Sequence, residues 1–238
     1  MPISRLPNKL RFQRALLAWF AAHGRDLPWR HTNDPYHILV SEMMLQQTQV
    51  ERVAPKYTEW LDKYPTLEEL AAADVEEVKA TWKGLGYNVR PVRLHGIARE
   101  TVAGYGGQLP ASAETLRQFK GIGRYTAGAI ASFAFRHDEP VLDTNVRRVL
   151  FRVFLAKPGL QSERRATPQP RSRDRELWEI AAKVLPKGRA WEFNSALMDF
   201  GATVCTARTP RCGECPMATF CADRRQRGRL PKRPVCVV

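Results

Sequence analysis

Apolar residues recur along this chain at intervals of three and four. Leu10, Leu16, Leu17 and Phe20 open the pattern, Ile38, Leu39, Leu45 and Val50 continue it, and Leu150, Val153 and Phe154 repeat it later. That spacing stacks side chains on one face of an α-helix, and no run shows the alternation that a half-buried strand requires. The punctuation between apolar runs agrees. Thr66 and Glu69 are spaced as a capping box before LEELAAA, and Asp74 stands as an N-cap before VEEVKATW. The predicted class is all-α with short connections. One break interrupts it: residues 157–175, KPGLQSERRATPQPRSRDR, are polar and rich in Pro and Arg and read as a surface loop. The residues after Cys221 carry no period and read as a loose basic tail, and no internal repeat is visible.

Length and charge narrow the picture. A chain of 238 residues can bury a core in one large domain or two small ones without a covalent staple. Thirty-eight Lys and Arg against 24 Asp and Glu give a net charge of +14, which suits a polyanionic partner. No apolar run reaches membrane-spanning length, and the start, MPISRLPNKLRF, lacks the apolar stretch of a secretion signal. The expectation is a soluble, cytoplasmic protein, nucleoid-associated if bacterial, with no membrane partner. In a reducing compartment its cysteines point to metal ligation or redox work rather than disulfides.

Four of the five cysteines crowd into CTARTPRCGECPMATFC, residues 205–221, with the spacing Cys205-x6-Cys212-x2-Cys215-x5-Cys221, while Cys236 stands apart. Structural zinc sites usually show two tight pairs, and only Cys212 and Cys215 form one here. A single wrap with three unequal spacings favours a [4Fe-4S] cluster, with zinc as the alternative. Arg208 and Arg211 lie inside the first loop, so closing it around a metal would fix two guanidiniums where a phosphate can meet them.

Two further stretches carry candidate chemistry. In FKGIGRYTAGAIASFAF, residues 119–135, Gly121 and Gly123 precede an apolar helix, where a tight turn can aim amide N–H groups at a phosphate. In ILVSEMMLQQTQV, Glu42 shares a helical face with Ile38, Leu39 and Leu45, a setting that raises a carboxyl pKa toward that of a general acid; a glutamate reaching water from the stripe's edge is the plainer alternative. Asp143, in VLDTNVRRVLFRVF, reads first of all as a helix N-cap.

Taken in this order, the segments resemble the helix-hairpin-helix DNA glycosylases that carry an iron–sulfur cluster, from about residue 8 to residue 224, and among them the MutY-type adenine glycosylases. The matching stretches are RDLPWR (25–30), SEMMLQQTQVERV (41–53), GLGYNVRPVRLH (84–95), GRYTAGAIASFAF (123–135) and FNSALMDFGATVC (193–205). The resemblance implies two lobes: a six-helix barrel over residues 22–135, and a helical lobe from residues 1–21 and 136–224 that holds the cluster, followed by a basic tail over 225–238. It implies Glu42 as the acid that protonates the departing base and Asp143 as the carboxylate that stabilises the cationic sugar. It places Arg25, Trp29, Arg30, Gln47, Tyr87, Gly121, Gly123, Asn145, Ser195, Arg208 and Arg211 at the DNA or the flipped base, with Gln47 and Tyr87 wedging the duplex open. Its cluster ligands are Cys205, Cys212, Cys215 and Cys221. The implied partner is double-stranded DNA with a mismatched or damaged base, bound by a monomer.

Tyr125 stands where strand-cutting relatives of the endonuclease III type have a lysine, so the resemblance implies base removal without efficient strand cleavage. Three positions depart from the adenine-specific pattern: Ser195 replaces the usual Gln or Glu, Lys120 replaces a hairpin proline, and the C-terminal domain that reads 8-oxoguanine is expected to be missing. RDLPWRHTNDPY, YGGQLP and ALMDFGA also resemble the thymine mismatch glycosylases of the same superfamily. Removal of thymine or uracil opposite guanine is therefore the alternative activity. A basic helical DNA-binding module with a structural or redox-sensing cluster is the alternative without catalysis.

Overall fold

The computed structural model describes residues 6–86, 88–156 and 173–227, with side chains through Arg224. The described residues are helical throughout, without strands, as the apolar spacing predicts. The expected loop and tail lie largely outside them, as does Tyr87. The chain divides into two compact units, one of Asp26–Val141 and the other drawn from Met1–Arg25 and Leu142–Val238. The second boundary falls later than the sequence-based lobe limit at residue 135. Residues beyond Phe135 remain tied to the first unit, since His137 N–H bonds the Ala131 carbonyl at 3.0 Å and the Pro140 carbonyl lies 2.8 Å from a Cβ built on Gly128.

The unit Asp26–Val141 begins with a 3₁₀ turn, Pro28–Arg30, and continues through α2 (Pro35–Leu45), α3 (Val50–Lys63), α4 (Leu67–Ala72), α5 (Val75–Thr81), α6 (Val89–Tyr105), α7 (Ala113–Leu116) and α8 (Arg124–Phe133). Local chemistry sets many of the starts. Asp34 caps α2 by accepting from Tyr36 and His37 N–H, Thr66 and Glu69 form the expected capping box of α4, and Asp74 caps α5. The face of α3 repeats at helical spacing, burying Val53, Tyr57 and Trp60. Helix α2 differs from expectation. Every residue from Ile38 to Met44 is buried, so Glu42 does not sit beside a stripe but inside a helix surrounded by protein. Contacts from α3, α6, α8 and the 3₁₀ turn enclose it.

The other unit contains α1 (Lys9–His23), α9 (Thr144–Leu150) followed by a π-helical turn (Phe151–Leu155), α10 (Asp174–Val184), α11 (Ala190–Thr203) and α12 (Ala222–Arg227). Phe12 meets Phe154 and Phe193 edge-on at centroid distances of 5.1 and 6.0 Å, which joins α1 to α11 and to the π-turn. Leu10, expected in the apolar face, is 64 % exposed. The buried face of α1 is set by Phe12 and Leu16, one turn apart, and Leu10 projects from another side. Helix α9 approaches α11 so closely that a Cβ on Gly201 would stand 2.7 Å from that of Asn145. The chain is also not loose immediately after Cys221. Helix α12 packs against the π-turn, with Asp223 buried and Arg224 bonded to the Cys212 carbonyl. No helix among the described residues is long and apolar enough to cross a membrane.

Candidate active site and metal centre

In the Asp26–Val141 unit, Glu42 is 3 % exposed on α2, with Leu39 and Met43 buried completely beside it. Three residues later the helix ends, and Gln47 adopts a left-handed backbone, φ 57°. Its side chain is exposed. The hairpin predicted around Gly121 and Gly123 is present. Phe119 O accepts from Ile122 N–H at 3.1 Å, Gly121 takes φ 108°, and Gly123 caps α8 in an extended conformation with open space around it. Only a glycine tolerates that φ at residue 121, where the Arg93 side chain also comes within 3.0 Å of a Cβ position. Tyr125 occupies the first turn of α8 and is half-buried.

Arg25 Nε and backbone N–H both reach Asp199, at 2.7 and 2.9 Å, and Asp199 is fully buried on α11. Trp29 is 8 % exposed and meets Tyr57 edge-on at 5.6 Å. Trp29 is therefore part of the core, whereas the Arg25 side chain stays 29 % exposed beside its ion pair with Asp199. Arg30 is half-buried.

In the other unit Asp143 is the N-cap of α9, accepting from Val146 N–H at 2.6 Å and from the Asn145 side-chain amide at 3.2 Å. Burial raises its pKa, opposed by these hydrogen bonds and by the nearby Arg148 guanidinium. The Asn145 oxygen in turn accepts from Arg148 at 2.7 Å. Arg148 also donates to the carbonyls of Gly201, at 2.7 Å, and Cys205, at 2.8 Å. Ser195 is 3 % exposed on α11.

The four cysteines line one cavity together with Val153, Phe200, Val204 and Ala218. Among the described residues no three His, Cys, Asp or Glu side chains are arranged to hold a single metal ion. Burial pushes the Cys215 thiol up to about 11, and the other three cysteines add to the rise. Four sulfurs on one cavity, whose wall Arg152, Arg211, Asp223 and Arg224 also join, fit a multi-iron cluster, whose positive charge would support them as thiolates. Arg152, projecting from the π-turn, donates to the carbonyls of Thr206 and Ala207 at 2.7 and 3.0 Å and approaches Cys205 Sγ at 3.5 Å. Arg208 and Arg211 are exposed on the same loop, which a bond from Arg211 N–H to the Val204 carbonyl at 2.9 Å folds back.

Arg148 and Arg152 were not singled out from the sequence. Their signal was a pair of arginines four residues apart on a helix that is otherwise apolar at Val149, Leu150 and Val153. Arg90, which is 1 % exposed and bonded to the end of α2, left no local signal at all.

An all-helical chain with a glycine hairpin, a capping aspartate and a four-cysteine cavity defines the class of helix-hairpin-helix iron–sulfur DNA repair proteins. Residues 40–183 match the HhH-GPD superfamily base excision DNA repair proteins, and this chain belongs to that family. Residues 205–221 match the iron–sulfur binding domain of endonuclease III, and the cofactor is a [4Fe-4S] cluster. The chain is 44 % identical to an adenine DNA glycosylase of Rattus norvegicus over 97 % of its own length but only 45 % of that protein's, so it spans less than half of this relative. It is 38 % identical to a thymine/uracil-DNA glycosylase of Pyrobaculum aerophilum, covering 96 % of this chain and 98 % of that one. A solved structure of a thermostable thymine-DNA glycosylase superposes with a TM-score of 0.83 at 31 % identity, covering 92 % of this chain and 97 % of that one.

Proposed function

We propose that this protein is a monofunctional DNA glycosylase that, as a monomer on double-stranded DNA, hydrolyses the N-glycosidic bond of adenine mispaired with guanine or 8-oxoguanine. The observation that carries this reading is the carboxyl group of Glu42 enclosed in α2 at 3 % exposure. Adenine departs as a neutral base only if its ring is protonated, and a carboxyl group withdrawn from water is suited to hold and deliver that proton. As the C1′–N bond breaks, positive charge develops on the sugar, and the carboxylate of Asp143 is the group to offset it. Water then adds to C1′, and its released proton restores the acid. The base must leave the stack first, with Gln47 as wedge and the amides around Gly121 and Gly123 gripping the backbone. Arg208 and Arg211 add phosphate contacts, and Cys205, Cys212, Cys215 and Cys221 hold the cluster.

Tyr125 offers a phenol where a Schiff base would need an amine, so the strand is left intact at an abasic site. The identity to the adenine glycosylase supports adenine as the base. Thymine or uracil removal opposite guanine is the second reading, favoured by the end-to-end coverage of the Pyrobaculum aerophilum protein.

A glycosylase assay on a panel of mismatched duplexes decides between them. Adenine release opposite guanine and 8-oxoguanine, with strand breaks only after hot alkali, is the expected result. Thymine release from G·T with adenine ignored in every context selects the second reading. A borohydride-trapped enzyme–DNA adduct would exclude the monofunctional chemistry.

A further inference from the structure

The end of α2 is held by one buried side chain from another helix. Arg90, in the first turn of α6, donates from Nη1 to the carbonyls of Met43, Met44 and Gln46 at 3.0, 2.8 and 2.6 Å. From Nη2 it donates to Thr48 Oγ1 at 3.1 Å and to the carbonyls of Leu85 and Gly86, both at 2.9 Å. Its guanidinium lies over the Trp82 ring at 5.2 Å, and Trp82 Nε1 itself donates to Gly86 O at 3.2 Å. Carbonyls at a helix C-terminus have no partner within the helix, and a buried planar cation with five donors is the side chain best able to satisfy several at once.

These contacts flank Gln47. Gln46 and Thr48, its two neighbours, are both fastened to Arg90, and Gln47 between them is one of three described non-glycine residues with positive φ. That conformation is disfavoured for a glutamine and persists only where the surroundings over-determine it. A hydrogen-bonded frame of one guanidinium on both sides of the residue is such a surrounding.

We propose that Arg90 is a positioning residue for base extrusion: it clamps the α2 C-terminus and the Leu85–Gly86 turn so that Gln47 is presented to the duplex in its left-handed conformation. The inference rests on the reading of Gln47 as the wedge. A loop already held in the inserting geometry does not have to be ordered when DNA arrives, so the binding energy goes into unstacking.

The test uses the full chain and a duplex carrying a tetrahydrofuran abasic analogue next to 2-aminopurine, whose fluorescence rises on unstacking whichever base the enzyme excises. Arg90→Lys keeps the charge but not the fork. It should lower the fluorescence rise at saturating protein by about fivefold and slow single-turnover excision by about tenfold, with duplex affinity changed by less than about threefold. Gln47→Ala should give a similar loss, and the double variant should be no worse than the more impaired single one, because Arg90 acts through Gln47. Losses that multiply in the double variant overturn the proposal, as does an Arg90→Lys protein that unstacks the probe like wild type. If Arg90→Lys does not fold, Thr48→Val removes one acceptor of the clamp and is read the same way against Gln47→Ala. A wild-type protein that unstacks the probe but excises no adenine refutes the substrate reading and leaves the clamp to be judged on the fluorescence. A wild-type protein that does not unstack the probe overturns the clamp as a device for extrusion.

Discussion

Arg148 joins a cluster ligand to Asn145: its guanidinium donates to the Cys205 carbonyl at 2.8 Å and to the Asn145 side-chain oxygen at 2.7 Å. Asn145 passes the restraint on, since its amide donates to Asp143 at 3.2 Å. Two side chains thus connect the first cysteine to the carboxylate assigned to the cationic sugar. Arg148→Ala is expected to cost about 2–4 kcal/mol by chemical denaturation, the range for losing charged hydrogen bonds to part-buried carbonyls. It should lower both iron content and excision rate, whereas Arg148→Lys should keep more iron than activity, since one ammonium cannot hold all three acceptors. Iron analysis beside single-turnover kinetics checks this.

Asp143 ties stability and activity to pH with opposite signs. Burial raises its pKa above the ordinary 3.8. Between that value and the raised one, the folded protein holds a proton the unfolded chain has lost, so the contribution of this group to stability falls as pH rises through the window. Activity needs the ionised form and should rise across the same window. Asp143→Asn keeps an oxygen for Val146 N–H, so it should gain stability relative to wild type with increasing pH while excision falls by at least about 100-fold. Denaturation and pH–rate profiles of the two proteins test both signs.

Glu42→Gln preserves the volume enclosed in α2 and removes the titratable proton. Single-turnover excision should drop by roughly 100-fold or more, the usual cost of a lost general acid, with affinity for mismatched duplex nearly unchanged. Unaltered excision would remove Glu42 from the acid's role, and no excision by either protein would assign the chain to DNA binding without catalysis.

The cluster loop separates into a metal function and a surface function. Anaerobically purified protein should be brown, with about four irons per chain. Cys212→Ser should lose iron and weaken DNA binding together. Arg211→Ala should keep its iron and lower the slope of log affinity against log salt by about one, as expected for one lost phosphate contact. Stoichiometric zinc in place of iron would overturn the ligand assignment.

The helices and the metal-binding segment were legible in the sequence because their determinants are local. Thr66 with Glu69, Asp74 and Asp143 each cap the helix that directly follows, and the four cysteines fall within seventeen residues. The glycine hairpin belongs to the same class, since the φ of 108° at Gly121 is written into one residue type. What only the tertiary structure decided is which polar side chains turn inward. Arg25 pairs with Asp199, 174 residues away, and Trp29 is enclosed beside Tyr57, and nothing within RDLPWR itself specifies either partner. Arg90 finds the Met43 carbonyl 47 residues earlier, and Arg148 finds the Cys205 carbonyl 57 residues later. A guanidinium has the same sequence signature whether it is solvated, bound to phosphate or clamped on a helix end. Its role depends on which orphaned carbonyls or carboxylates the packing of distant helices brings within about 3 Å, and local periodicity carries no information on that.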